Sequence, residues 1–303
     1  MALSAGSERA IPLPVIEPGL RTTSRAARLW RLACRNPLGS VSLACLILIA
    51  LVAIFAPWLS PYDPERSITG AALHPPSALH WLGTDNLGRD ILSRILYGSR
   101  ISLLIAISVS ILGTVPAIFI GLLSGYCAGN VDLVIQRFVD SLSAFPGLIL
   151  ALLFMVVFGQ SVGNVIISLS LVNSPRIIRT LRSVVLSVKE RDYILASRTM
   201  GARGARVMLL HVLPNCMAPV IILVSASFGA VIIIESSLDF LGLGIPPNVP
   251  TWGSMLGGDA QKYVQTAPWM AVFPGLFLSA TVLAMNLLGD TLRDILDPRL
   301  RAG

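Results

Sequence analysis

Residues Lys189 to Pro214 read KERDYILASRTMGARGARVMLLHVLP, the longest charged stretch lying between long apolar ones. Ile194 to Met200 holds good helix formers, and Gly201-Ala202 interrupts them. Glycine accepts the left-handed conformation that ends a helix. Arg203 to Leu213 resumes a helical pattern, with Val207, Leu210 and His211 at near-helical spacing. Pro214 opens the next apolar run, as proline does at helix starts. The segment reads as a basic helix–turn–helix between membrane spans, a shape for another protein to grip. The bland alternative is a solvated basic loop that serves only topology.

Composition puts this segment in a membrane protein. Of 303 residues, 54% are hydrophobic and 13% charged, against the ~25% charged usual in soluble domains. Mean hydropathy is +0.76, more than a soluble core needs. The net charge of +7 does not point to nucleic acid, because the cations are partitioned between loops. Cys34, Cys45, Cys127 and Cys216 form no CxxC or Cys/His cluster, so free thiols are expected and no metal site.

Working outward, the apolar runs predict six transmembrane helices. Span 1 covers 38–59, span 2 covers 101–126 and span 5 covers 215–235, ending at Glu235. Span 6 covers 269–289. Residues 129–140 read as a short polar link. The apolar stretch from Ser141 to Val172 is about 48 Å long as one helix, too long for a ~30 Å crossing. Gly159-Gln160-Ser161 and Gly163-Asn164 break it, giving span 3 at 142–158 and span 4 at 163–180. In the first long loop, Thr84 or Asp85 is the expected cap of a helix from Asn86 to Tyr97. The second, 241–258, reads LGLGIPPNVPTWGSMLGG and predicts turns.

Residues 1–36 contain no apolar run of a cleaved signal, so span 1 is expected to act as an uncleaved insertion signal. Arg21, Arg25, Arg28, Arg31 and Arg35 fall on one helical face. That suits an interfacial helix, or equally a basic tail that only fixes orientation.

Charge fixes the expected orientation. With both termini cytoplasmic and six spans, 18 of the 23 Lys and Arg lie inside. Eight of these fall within 176–206; the five outside are Arg66, Arg89, Arg94, Arg100 and Lys262. This is a strong positive-inside bias. Treating 141–172 as one span would turn the eight outward, so the break at Gly159–Asn164 is favoured. The segment 189–214 is then cytoplasmic, between spans 4 and 5.

Catalytic motifs are absent from the sequence. There is no phosphate-cradling GxxxxGK[ST], GxSxG, HExxH or paired-cysteine arrangement. His74 and His80 are read as ordinary loop residues, with a metal pair as the alternative. No carboxylate falls near a span centre: Glu235 and Asp239 sit at a span end and Asp290 lies past span 6. Secondary transporters need such a group or a broken-helix ion site. Energy for any transport therefore enters from another subunit, through the one inside loop large enough to dock it.

The segment resembles the cytoplasmic loop motif of ABC importer permeases: Glu-Ala-Ala, three residues, Gly, nine residues, Ile, one residue, Leu-Pro. Here it reads Leu195-Ala196-Ser197, Gly201, His211 and Leu213-Pro214, with the spacing kept and Glu, Ala and Ile replaced by Leu195, Ser197 and His211. GTDNLGRDILSRILYGSRISL at 83–103 resembles the outer-loop signature of the dipeptide/oligopeptide/nickel type. So do VDSLSAFPGLILAL at 139–152, ESSLDFLGLGIPPNVPTWGSML at 235–256 and APWMAVFPGLFLSATVLAMNLLGDTLRDILDPRLR at 267–301. The likeness covers nearly everything after residue 35.

The resemblance implies a non-catalytic permease subunit. It implies a second, homologous permease, cytoplasmic ABC ATPases that bind ATP and magnesium, and an extracytoplasmic solute-binding protein that delivers peptide. Cofactors are not expected in this chain. Arg191, Tyr193, Leu195, Ala196, Ser197, Gly201, Ala202, Arg203 and Pro214 are the expected ATPase-coupling residues. Domains are expected at 1–36 (cytoplasmic tail), 37–100 (first span and outer loop), 101–292 (permease core, coupling loop 181–213) and 293–303 (cytoplasmic tail). Nickel or glutathione are alternative substrates. A membrane scaffold and a secondary transporter are the rival functions. Ser168, Ser170, Asn173 and Ser225 are polar groups within the spans that suit either a substrate or helix–helix hydrogen bonds.

Overall fold

Every regular element among the described residues is helical. The structure, a computed structural model, describes residue 34 and residues 36–296. The five-arginine face of 21–35 and the tail beyond 296 lie outside the described residues. The long helices are α1 (Pro37–Leu59), α2 (Ile91–Cys127), α5 (Val162–Val188), α8 (Leu213–Phe240) and α11 (Trp269–Leu296). Between them lie α3 (Gly129–Ser143), α4 (Gly147–Phe158), α6 (Asp192–Thr199), α7 (Gly204–Val207), α9 (Trp252–Leu256) and α10 (Asp259–Lys262).

Four stretches are long and apolar enough to cross a membrane: α1, α2, the continuous helix Gly204–Phe240 and α11. A fifth is the pair α3–α4, bent by 90°. Phe145-Pro146 explains the bend, since the residue before proline is pushed out of the helical region. The predicted polar link at 129–140 is therefore helical, and α4 begins only at Gly147. The predicted break at 159–164 is present. Gly159 has φ +82, and the Ser161 hydroxyl caps α5 by accepting from the Asn164 N–H at 3.1 Å.

Helix α5 is 27 residues long and absorbs Pro175 without stopping. It runs past the expected end at 180 because Leu181, Val185 and Val188 are buried, packing with Leu122 of α2. Helix α2 begins ten residues before the expected start of span 2. The anticipated separate helix 86–97 does not exist; its second half is the first turns of α2. Asp90, not Thr84 or Asp85, is the cap, accepting from the Ser93 N–H at 2.8 Å. Span 5 likewise continues past Glu235 to Phe240.

The α2–α5 seam is the spine of the bundle. Gly113, Ala117, Gly121 and Gly125 recur every four residues on one face of α2. A methyl group on Gly121 would lie 2.8 Å from the Ile178 carbonyl oxygen, and one on Gly125 2.8 Å from the Val185 side chain. Small residues let the two backbones approach this closely, as expected where no hydrophobic effect drives helices together in lipid.

Specific ties sort the helix ends into two sets. At one end, the Gln160 amide donates to the Gly242 carbonyl at 2.7 Å, and Asn86 donates to Asp259 at 2.8 Å. The Trp269 indole donates to the Thr84 carbonyl at 3.2 Å. At the other end, Lys189 donates to the Gly125 carbonyl at 3.1 Å, and Gly39 of α1 packs against Thr291 of α11.

Candidate functional site

The segment 189–214 forms a helix–turn–helix, held by a buried apolar seat. Ile194, Val207 and Val212 are fully buried with Leu122, Leu181, Val185 and Val188. Helix α6 starts at Asp192, with the Arg191 carbonyl accepting from Ile194 and Leu195. It stops at Gly201, whose φ is +85. The Ala202 N–H reaches back to the Ser197 carbonyl at 3.2 Å, the long closing bond of a Schellman turn. No atom lies within 4 Å of where a Gly201 side chain would begin, so glycine is there for its backbone angle and not for space.

Beyond the turn, the chain widens into a π turn at Met208–Val212 before α8. Pro214 accounts for it. Its ring crowds the carbonyl four residues back and it has no N–H to donate. The Leu213 N–H bonds to the Met208 carbonyl, and the Asn215 side chain to the His211 carbonyl at 2.7 Å. Pro214 stands in the first turn of α8, the helix start anticipated for it, although α8 continues the rod that begins at Gly204.

The predicted coupling residues divide by environment. Tyr193, Leu195, Ala196, Gly201, Arg191, Arg203 and Pro214 are exposed, Ala202 is half-buried and Ser197 is buried. Met200 joins the exposed set at 82% accessibility, with Leu210 at 60%.

At the opposite end, two sequence-distant segments build one cap. Asp85 accepts from the backbone N–H groups of Leu87 and Arg89 at 2.9 Å and from the Arg89 side chain at 2.6 Å. Buried Arg94 lies 3.9 Å from Asp85 and donates to the Pro64 carbonyl at 3.2 Å. His80 contacts Asp90 at 2.9 Å, so it serves this network. Thr251 caps α9 in a reciprocal capping box with Ser254 and also bonds Asp239. Glu235 is buried beside Ser102 and Ser236, at 3.4 and 3.1 Å. A cavity of about 200 Å³ lies under this cap, walled by Asp85, Arg94, Asp239 and Asp259 among others. Its charges already have partners within the cap.

The polar groups of the spans are dispersed. Ser225 bonds its own helix at Ile221, and Ser168 is buried with its hydroxyl 3.6 Å from the Met155 sulfur. Ser170 Oγ and Asn173 Nδ2 are buried without a hydrogen-bond partner, as is Thr114 Oγ1. Among the described residues no three His, Cys, Asp or Glu gather into a metal-binding group.

Residues 117–302 match the family model described as binding-protein-dependent transport system inner membrane component. The chain belongs to this family. Residues 24–76 match a second model, the N-terminal TM domain of oligopeptide transport permease C. Among curated relatives is the di/tripeptide transport system permease protein DppC of Pseudomonas aeruginosa, 40% identical over 95% of this chain and 97% of that protein. The dipeptide transport system permease protein DppC of Escherichia coli K12 is 43% identical over 90% and 92%. The glutathione transport system permease protein GsiD of Pectobacterium atrosepticum is 40% identical over 96% of each chain. A chain from inward-facing structures of the MetNI methionine ABC transporter shares the fold. Its TM-score is 0.56 at 17% identity, covering 67% of this chain and 96% of that one. The protein is thus a multi-pass inner-membrane permease subunit of an ABC importer.

Proposed function

We propose that this permease pairs with a second, homologous permease to form the path for di- and oligopeptides. An extracytoplasmic binding protein delivers the peptide, and cytoplasmic ATPases carrying ATP and magnesium supply the energy. The observation that carries the reading is the helix–Gly201–helix element: rigidly seated on α2, α5 and α8, yet presenting Tyr193, Leu195 and Met200 to solvent. An element seated this way passes a push from a docked ATPase directly into the two helices it joins. Arg191, Ala196, Ser197, Ala202, Arg203 and Pro214 complete the coupling set.

The chain crosses the membrane six times, with α3–α4 as the third crossing and α5 as the fourth. Arg176, Arg179 and Arg182 favour a cytoplasmic boundary for the lower part of α5. Both termini are cytoplasmic. Residues 1–36 and 293–303 are the tails, 37–100 the first span with its outer cap, and 101–292 the core containing the coupling loop 181–213. The positive-inside bias and the two sets of tied helix ends support this topology. ATP hydrolysis belongs to the partner subunits.

Peptide is favoured by relatives that carry di- and tripeptides in their names; glutathione, itself a peptide, is the second reading, from the 40% identical glutathione permease. ATP-driven uptake of labelled dipeptide and of glutathione by the reconstituted assembly separates the two. Uptake of neither would remove the proposal.

A further inference from the structure

We propose that Thr114 of α2 and Ser170 and Asn173 of α5 hold one water molecule in the middle of the bundle, as a joint on which α5 shifts against α2. The shift rests on the function proposed above; the water site does not.

Three observations carry the assignment. First, these side chains depart from the habit of the other helices. The hydroxyls of Ser110, Ser174, Thr281 and Thr291 turn back to the carbonyl four residues earlier, at 2.7, 2.5, 2.8 and 2.8 Å. That is how a helix satisfies a hydroxyl that has no other partner. Thr114 Oγ1 and Ser170 Oγ do not turn back, although the two residues are only 8% and 7% exposed. Asn173 Nδ2 is also shut off from solvent without a partner. Buried polar groups left this way are rare, and a shared water commonly satisfies them.

Second, the three lie in one polar layer between two apolar ones. Val109, Leu169 and Val231 belong to one cluster, and Ala117, Ile177, Ile178 and Leu223 to the next. The stretches between them, 110–116, 170–176 and 224–230, supply Thr114, Ser170, Asn173 and the buried Ser227. Helices α2 and α5 touch at this level: the Ser174 hydroxyl donates to the Gly113 carbonyl at 3.3 Å, and a methyl group on Gly113 would lie 3.3 Å from Ser170 Cα. Gly113, Ser170, Ser174 and Ser227 are small, and leave space that Val, Leu and Ile close in the neighbouring layers. Third, the depth makes a bound water a resident one. Ser170 and Asn173 follow Val162 by 8 and 11 residues, about 12 and 16.5 Å of helix in a ~30 Å core.

The chemistry of the set selects water. Asn173 Nδ2 only donates, so it repels a cation, and the three stretches contain no carboxylate to hold one. Their one charged residue, Arg176, is exposed. A water accepts from Asn173 and from one hydroxyl and donates to the other, the three bonds usual for a buried water. Such a water can change partners as two helices slide, which a direct side-chain bond cannot.

The test compares Thr114→Val, Ser170→Ala, Asn173→Leu and the triple variant in the purified, assembled importer. Each single change strips one partner from the water and should lower the unfolding midpoint by about 2–4 °C, the shift for one hydrogen bond. The triple variant removes the water together with all its partners, so its midpoint should fall no further than that of the lowest single. Singles whose midpoints rise or stay level mean dry, unpaired groups; losses that add up in the triple variant mean three separate bonds. Either result overturns the water site. A density map of the wild type fine enough to show waters should place one within hydrogen-bonding distance of Thr114 Oγ1 and Ser170 Oγ. Well-resolved side chains there with no water overturn the site independently of any variant. The triple variant should also take up dipeptide several-fold more slowly than the wild type, and uptake at the wild-type rate overturns the joint. Midpoints are read without transport, so failure of the peptide-import reading would appear separately, as a wild type that takes up no peptide.

Discussion

The indole N–H of Trp252 donates to the carbonyl of Ile95 at 3.2 Å, across 157 residues of sequence. Trp252 is fully buried, and the contact pins α9 onto the first turns of α2. Two sequence-distant segments become one cap through it. The cap gathers the ends of α2, α8 and α11 through Trp252, Asp239 and Trp269.

Trp252→Ala should therefore cost about 3–5 kcal/mol, the usual loss on emptying a large aromatic site. Trp252→Phe keeps most of the volume and loses the hydrogen bond, so its cost should be about 1 kcal/mol. Thermal unfolding of the purified protein in micelles would rank the two. Equal shifts would mean that the indole does not organise the cap.

The α2–α5 seam predicts a graded response to added methyl groups. Gly121→Ala meets the Ile178 carbonyl oxygen at 2.8 Å, whereas Gly113→Ala meets the Ser170 carbonyl oxygen at 3.2 Å. Overpacking against backbone costs about 1–3 kcal/mol. Gly121→Ala should sit toward the top of that range and Gly113→Ala below it, read as resistance to proteolysis in membranes. The reverse order would contradict the packing.

Much of the fold was legible in the sequence, and the misreadings have physical causes. The break at Gly159–Asn164 and the turn at Gly201 were readable because glycine and capping residues act locally. The start of α2 and the lower end of α5 were not; Leu181, Val185 and Val188 extend α5 only by packing on Leu122. Asp90 was overlooked as a cap because Thr84 and Asp85 are equally good capping types; tertiary bonds to His74, Ala71 and Arg89 occupy them instead. The Gly113–Ala117–Gly121–Gly125 stripe, a four-residue spacing of small residues, was not read as a seam. The π turn was not, because it arises from Pro214 inside a helix that does not stop. The helix–turn–helix shape of 189–214 was readable from its residues, but its buried seat was not.

Helix α3 is clamped to α5 by Arg182, which donates to both carboxylate oxygens of Asp132 at 2.6 and 2.5 Å. Asp132→Ala should cost about 1.5–3 kcal/mol, the range for hydrogen bonds to a charged group. The site is partly exposed, so screening places the expected value at the low end. The exchange Asp132→Arg with Arg182→Asp should recover part of the loss. A double variant no better than the singles would show that charge pairing is not what holds α3.

Orientation can be checked with single cysteines in a background lacking the native ones. Gln261→Cys, in the outer loop, should react with an impermeant maleimide added to intact cells. Ala205→Cys should react only after the membrane is opened. Both positions are exposed, so accessibility within the fold is not limiting. The opposite pattern would invert the topology.

The central claim is that Gly201 lets a rigid two-helix element carry ATPase motion into α5 and α8. Proline cannot adopt φ +85, and alanine adopts it only at a cost of about 1–2 kcal/mol, with no steric neighbour to worsen it. The decisive measurement is ATP-driven dipeptide uptake by proteoliposomes containing the assembled importer and its binding protein. Gly201→Pro should abolish uptake while membrane insertion and permease pairing stay at wild-type levels, and Gly201→Ala should retain a reduced rate. Uptake by Gly201→Pro at the wild-type rate would contradict the account.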